Sequence, residues 1–548
     1  MNKKLVALSA LACAAQLASL FGTSTVGKTT FRNRSAGSNK ILQEVNTIHF
    51  MNPCDTDCLN GYVSALVGYD QSFDRDEIGK YLFYSGTNTM LFGSVAYDPS
   101  IAAATSTIPA TGVDFFVENI FLNNNPQTND TAAYNGTLTA LPRVENAIVD
   151  LNFRLNLDEW VCGLYFDIHA PINWTRWNMN LKENTTNSGV NVIQQTFGND
   201  AATASPMTSI IAGLDGQTLD TASFPLLKQK LNYGRVDGAQ TKTRLADVEA
   251  ALGYNFLCCD YYHVGIDIRG IFPTGNRPNA EYWFDALVGN GHQFGAGVGA
   301  SAHYELWNNC CDSSFSMWLN GKVYHMFSAK ERRIFDLKNS DGSQNIGSNR
   351  LLIKKFSGAP GTAGNPPTLT EVLFGPNVLA LQCKVKNDVL GEAAILFDYQ
   401  RCGLTLDAGY KLWARTKDKI SLSEQIAANT YGVKGVTATG SRTGFINNTA
   451  VNTASQTKIN GTSQIDGGVT GDDSFLNNVY LSNESISVES AEQPTAMSHT
   501  VFAHVAYAWE CCDYTPFIGF GGQVEFSGRA NNALDLWGIW AKAGFAFS

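Results

Sequence analysis

Ile148-Val149-Asp150-Leu151-Asn152-Phe153-Arg154-Leu155-Asn156-Leu157 alternates apolar and polar residues almost without a break. Side chains of a strand point to opposite faces with a period of two, so this stretch reads as a strand. Val149, Leu151, Phe153, Leu155 and Leu157 share one face, and Asp150, Asn152, Arg154 and Asn156 share the other. After a short polar turn at Asp158-Glu159 the pattern resumes: Trp160, Cys162, Leu164, Phe166, Ile168 and Ala170 alternate with Tyr165, Asp167 and His169.

The same hairpin recurs along the chain. Ala246 to Phe256 turns at Cys258-Cys259-Asp260 into Tyr262 to Phe272, and Phe294 to Leu306 turns at Asn308 to Asp312 into Phe315 to Val323. Ala393 to Tyr399 turns at Arg401 into Leu404 to Leu412, and Val501 to Trp509 turns at Cys511-Cys512-Asp513 into Ile518 to Phe526. Between hairpins lie long connections, among them 75 residues from Pro171 to Leu245 and Asn/Thr/Gly-rich stretches after Phe327 and Arg415. Short turns at one end and long loops at the other is the pattern of transmembrane barrels, whose strands need about 9–11 residues to cross the membrane. Gly61 to Tyr69, Met90 to Tyr97, Val113 to Phe121 and Trp537 to Phe547 add further strands, which predicts about 14 in all. Counting Gly375 to Asn387 as an extra strand leaves 16 open. The expected fold is therefore all-β: an antiparallel up-and-down transmembrane barrel with long extracellular loops.

Composition agrees. Charged residues are 16% of the chain, against about 25% in a soluble globular protein, and aromatics reach 11%. Lys3 and Lys4 precede the apolar run Leu5 to Phe21, which reads as a signal peptide over residues 1–22. Residues 23–58 then form a periplasmic segment and 59–548 the barrel in a bacterial outer membrane. The net charge of −10 disfavours a nucleic-acid partner.

A barrel this wide leaves its polar face against water and its apolar face against lipid. The lumen-facing acids are then Asp150, Asp167, Asp247, Glu249, Asp267, Glu305, Glu392, Asp398, Asp407 and Glu525, with Arg154, Arg269, Lys322 and Lys411 as the bases. That excess predicts a passive, cation-preferring channel for small hydrophilic solutes. His169, His263, His303 and His504 read as pore lining, because local sequence ties no nucleophile to them, so no enzyme activity and no cofactor or metal is expected. The alternative is a surface adhesin or structural envelope protein for which the barrel is only an anchor. Porins commonly form trimers, so a homo-oligomer is a possible partner state.

Cysteines crowd the short turns. Cys162, Cys258, Cys259, Cys310, Cys311, Cys402, Cys511 and Cys512 join Cys54 and Cys58 as disulfide candidates for an oxidising periplasm. Adjacent cysteines bridge each other poorly, which favours links between turns or to other proteins.

Asn52-Pro53-Cys54-Asp55-Thr56-Asp57-Cys58, the strand Val63 to Tyr69 and Phe73-Asp74-Arg75 resemble the opening of the chlamydial major outer membrane protein family. The resemblance covers residues 52–75 and implies a cysteine-crosslinked porin, tied by disulfides to other envelope proteins. The chain departs from the family pattern in its greater length and in its end, Phe545-Ala546-Phe547-Ser548.

Overall fold

The computed structural model describes residues 27–37, 47, 60–83, 86–93, 115–116, 135–187, 209–216, 229–236, 238–259, 261–309, 313–339, 341–357, 368–433, 480–509, 514–527 and 534–547. Twelve long strands close into a barrel: β1 (Gly61–Ser72), β2 (Arg143–Asn156), β3 (Leu164–Asn178), β4 (Val248–Cys259), β5 (Tyr262–Phe272), β6 (Gly295–Asn308), β7 (Ser313–Met326), β8 (Val389–Arg401), β9 (Leu404–Arg415), β10 (Ala496–Ala508), β11 (Tyr514–Ser527) and β12 (Leu536–Phe547). Each pairs antiparallel with its neighbours in sequence, and β12 closes onto β1 from Phe547↔Gly61 to Leu536↔Ser72. This is an up-and-down barrel with no open edge, the arrangement that leaves no strand backbone unpaired in hydrocarbon. Ala239–Leu245 is an outside strand that pairs with the far half of β3, just ahead of β4.

The count is twelve, not the 14 or 16 read from the sequence. The described parts of two expected strands, Thr89–Gly93 and Phe115–Phe116, are not in the barrel wall but pair in a separate four-stranded sheet with Asn135–Ala140 and Leu181–Asn187. The segment from Gly375 begins as a helical turn, Gly375–Leu379, and becomes the strand Ala380–Asn387 of a three-stranded sheet with Ala329–Ile334 and Asp418–Leu422. These three strands are continuations of β8, β7 and β9 beyond the barrel rim.

The two faces of the wall are as the alternation predicts. In β2 Val149 and Leu151 are exposed while Asp150, Asn152, Arg154 and Asn156 are buried, and in β5 Ile266 and Ile268 are exposed while His263 and Asp267 are buried. Exposed Val67, Leu151, Ile268, Val298, Val501, Phe520 and Ile539 form a continuous apolar belt around the outside. Aromatics gather toward its ends. Phe272, Phe294 and Phe327 follow one another with ring centroids 5.8 and 5.6 Å apart near the long connections. Tyr507–Trp509 at 5.1 Å and Phe315–Phe397 at 6.1 Å lie near the short turns. Among the described residues no helix is long and apolar enough to cross a membrane.

Inside, bulky rings lie flat over glycines of the next strand. Tyr165 pairs with Gly253, where an added Cβ would come 2.1 Å from the ring, and Trp540 pairs with Gly521 with the corresponding distance 2.4 Å. Glycine at these positions is required by close approach. The alternating glycines of β6, Gly295, Gly297 and Gly299, are inner-face positions of the same kind.

The main apolar core is not in the barrel. The long connections fold together beyond the rim into a cap, where Ile78, Leu82, Phe92, Leu138, Phe284, Phe335, Leu337, Ile353 and Leu381 are buried in one cluster. The segments expected as extended loops are, where described, packed short strands and turns.

Candidate functional site: the barrel lumen

All the short turns, together with the start of β1 and the end of β12, fall at one end of the barrel, and the long connections fall at the other. Between these ends, Asp150, Arg154, Asp167, Glu249, Asp267, Lys322, Glu392, Asp398, Asp407, Lys411 and Glu525 are buried on the inner face. Arg269 joins them through Glu249, at 3.1 Å. Glu305 is half-buried at the turn end, accepting from Asn308 Nδ2 at 3.1 Å. Asp247 has a different job. It sits between the outside strand and β4 and accepts from the backbone N–H of Asn290 at 2.6 Å and of Gly275 at 3.3 Å, which ties down the 273–293 connection; burial pushes its carboxyl above the usual carboxylate range.

These groups are not a free acidic lining. Glu249 contacts Arg269, Lys322 at 3.3 Å and the Tyr324 hydroxyl at 2.5 Å, and Lys322 reaches on to Glu392 at 3.7 Å. Asp267 pairs with Arg269 and accepts from the Tyr165 hydroxyl at 3.1 Å, while Arg154 lies 3.7 Å over the Tyr165 ring. His169 meets Asp150 at 2.8 Å and His504 meets Asp407 at 2.8 Å, whereas His303 stacks on Trp318 and His263 lies tilted against it. Asp70 and Lys542, both buried inside, were absent from the candidate set. The alternation that identified the others marks these as well: Val63, Ala65, Val67 and Tyr69 face out around Asp70, and Ile539, Ala541, Ala543 and Phe545 face out around Lys542.

The lumen also holds part of the chain that was expected below it. Residues 27–37, within the segment assigned to the periplasm, start in the cap and run into the barrel as an extended strap. Lys28 N donates to Tyr81 O at 3.1 Å and Thr29 N to Ser490 O at 3.1 Å, and Phe31 packs edge-on against Tyr81 and Trp177 at 5.7 and 5.6 Å. Farther in, Arg34 is paired with Glu525, both fully buried, and Gly289 N donates to Ser35 Oγ at 3.2 Å. Lower still, Lys542 Nζ donates to Thr47 Oγ1 at 3.2 Å, and Asn60 O accepts from Asn156 N at the turn end. No local sequence signal identified the strap, because Arg32 and Arg34 are ordinary charged residues until their partners are known.

Where strap, cap and wall meet there is a buried ionic knot. Arg32 is 2.8 Å from Glu331, and Arg333 is 2.6 Å from Glu331 and 2.7 Å from Asp418. Arg415, at the end of β9, lies 3.6 Å from Asp418. Burial alone would raise the Asp418 carboxyl, but the guanidinium groups of Arg333, Arg32 and Arg415 outweigh it and hold the pKa at about 2. Beside the knot, Cys383 carries a buried free thiol whose pKa burial pushes up to about 12.

Of the candidate disulfide cysteines, Cys162 and Cys402 are exposed free thiols in the short turns, and Cys258 and Cys259 end β4 beside another. Cys54, Cys58, Cys310, Cys311, Cys511 and Cys512 lie outside the described residues. Among the described residues, no three His, Cys, Asp or Glu side chains are grouped to hold a metal ion.

No protein-family model matches the chain, and no curated protein does. The resemblance at residues 52–75 to the chlamydial family therefore has no further support. Solved structures that align with it include the CymD monoaromatic hydrocarbon channel, at 10% identity and a TM-score of 0.28 over 96% of this chain and 97% of that one. The Pseudomonas putida toluene transporter TodX aligns at 9% identity and 0.25 over 96% and 98%, and the Escherichia coli outer membrane protease OmpT at 6% and 0.22 over 91% and 97%. A channel and a protease align about equally poorly, so similarity at this level assigns no activity.

Proposed function

We propose that the chain is a bacterial outer-membrane channel for small hydrophilic solutes, and not an enzyme. The observation that carries the reading is the pairing of opposite faces on one closed wall: an apolar belt with aromatics toward both ends outside, and ionised and amide side chains inside. A buried ionic interior is a costly way to build a purely structural anchor, since well-packed apolar residues of similar volume are often as stable or more so. In this reading the short turns lie in the periplasm and the cap faces outward, as in known outer-membrane barrels. Because the wall acids are largely partnered by wall bases, a cation preference is a property proposed for an opened lumen and not for the closed one. Assembly as a trimer, and disulfide links from turn-end cysteines to other envelope proteins, belong to the same proposal.

The test is heat-modifiable migration of the membrane-extracted protein combined with conductance across a planar bilayer. Discrete KCl conductance from protein that migrates as a folded barrel supports the channel. Folded protein that never conducts favours the second reading, a surface adhesin or envelope anchor, for which the compact cap with its own core is the observation.

A further inference from the structure

We infer that residues 27–37 are a displaceable plug, and that Glu525, the wall carboxylate that anchors it, sets the cation selectivity of the channel once the plug leaves. The inference rests on the channel reading. The strap lies across the path a solute would take. Arg34 is bonded to Glu525 on β11, whereas a Cβ added to Gly37 would lie 2.7 Å from the Ala246 Cβ and 3.0 Å from Pro171 of β3. In the closed ring β11 and β3 are separated by β12, β1 and β2, so a few residues of strap cross from one side of the wall to another.

Its two halves are held differently. Residues 28–32 are fixed in the cap by backbone hydrogen bonds, by the Phe31 rings and by the Arg32–Glu331 pair. The contacts of residues 34–37 with the lumen include the Arg34–Glu525 ion pair, the Ser35 hydroxyl and van der Waals contact at Gly37. Water and mobile ions can replace those polar contacts, whereas they cannot replace a buried aromatic cluster. The half in the lumen is therefore the half that can leave while the other stays seated.

Withdrawal changes the charge of the constriction. Asp70, Glu392 and Glu525 all act on Arg34, and on the wall they are otherwise balanced by Lys411 and by Lys322, which is shared with Glu249. Taking Arg34 away leaves those carboxylates in excess in a low-dielectric passage, which concentrates cations. Glu525 loses its ion pair with Arg34 in the process and is the carboxylate whose surroundings change most, keeping Ser498 and Lys411 nearby.

The experiment uses the full chain in planar bilayers under a KCl gradient. The double variant Gly37→Cys/Ala246→Cys, oxidised, should stay closed at or below the parent's conductance and recover on reduction, with Ala246→Cys alone as the control. Deletion of residues 27–37 should raise conductance several-fold and shift the reversal potential toward K⁺, and adding Glu525→Gln should reduce that preference. Parent, cross-linked and deleted proteins that conduct equally would overturn the plug while leaving the channel reading intact. An opened channel whose selectivity ignores Glu525→Gln would overturn the selectivity assignment. Silence from every folded form would sink the channel reading itself. Should the deletion not assemble, the cross-linked pair decides the plug and Arg34→Ser replaces the deletion, with the same expected direction.

Discussion

The wall and the cap use the same apolar residues for opposite purposes. On the wall, Ile266, Ile268 and Val298 face outward and are more than half exposed in the isolated chain, at 55%, 63% and 60%. In the cap, Phe335, Leu337 and Ile353 are fully buried against one another. The wall therefore needs lipid to be stable and the cap does not, so a substitution should reveal by its readout which environment it has disturbed.

The largest effects should come from a matched pair of changes. Phe335→Ala removes a buried ring from the cap, at a cost of about 3–5 kcal/mol. Proteolysis should then cut the cap while the barrel keeps its heat-modifiable migration. Ile268→Arg places charge at mid-belt and should cost about 2–4 kcal/mol or block assembly outright. Its inward neighbour position is already occupied by ionised Arg269, so arginine is tolerated one residue away. If Ile268→Arg assembled as well as the parent, the belt would not be facing lipid, and the comparison would collapse.

A smaller effect separates the inner wall from both. Gly253→Ala drives a methyl into the Tyr165 ring, which the Asp267 contact and the Arg154 guanidinium hold in place. Overpacking of this kind costs about 1–3 kcal/mol. Tyr165→Ala in the same chain should relieve much of the assembly defect. Failure of that rescue would mean that Gly253 is needed for backbone reasons and not to seat the ring.

The ionic knot gives the cap a pH response that the belt lacks. The folded pKa of Asp418, about 2, lies below its ordinary value of 3.8. Its contribution is thus complete above about pH 4 and is lost as pH falls from there through about 2, and the shift corresponds to about 2 kcal/mol. Asp336, also in the cap, has the opposite sign: burial raises its carboxyl, so protonation favours the folded form. The informative quantity is therefore the difference between the parent and Asp418→Asn. Their cap stabilities should differ at pH 6 and converge toward pH 2, and an unchanging difference would remove the carboxylate's charge from the explanation.

How much of this was legible follows from the same division. Period-two alternation over eleven to fifteen residues is a long signal, so the barrel strands and the side chains that turn inward could be read directly. Asp70 and Lys542 were legible by the same rule but were not drawn from it. The cap was not legible, because strands such as Phe115–Phe116 and Gln344–Asn345 are too short to carry a period, and Met90 and Phe92 alternate for burial against a core in the way that wall residues alternate for lipid. That ambiguity inflated the strand count. The strap was invisible for another reason: Arg34 and Glu525 are 491 positions apart, and nothing local in either tells that they meet.

The smallest perturbation, a thiol label, tests whether cap and turn end are as different in dynamics as in packing. Cys162 and Cys402 are exposed in the turns, and Cys402 sits at a left-handed position (φ 49°) in the tight turn between β8 and β9, so a reagent meets each sulfur without any opening of the fold. Cys383 is fully buried beside the Arg333–Glu331 pair, and its thiol is protonated throughout the neutral range because burial lifts its pKa to about 12. Thiolate is the reactive form, so both access and ionisation protect it. Peptide mapping after a short maleimide pulse at pH 7 should find Cys162 and Cys402 modified and Cys383 intact. Lowering the pH toward 2, returning to 7 and pulsing again should leave Cys383 protected if the cap reseats. Phe335→Ala should expose Cys383 at pH 7 without altering the labelling of the two turn cysteines. Equal labelling of all three in the parent would mean that the cap opens as freely as a loop, and that its buried cluster does not hold it shut over the barrel.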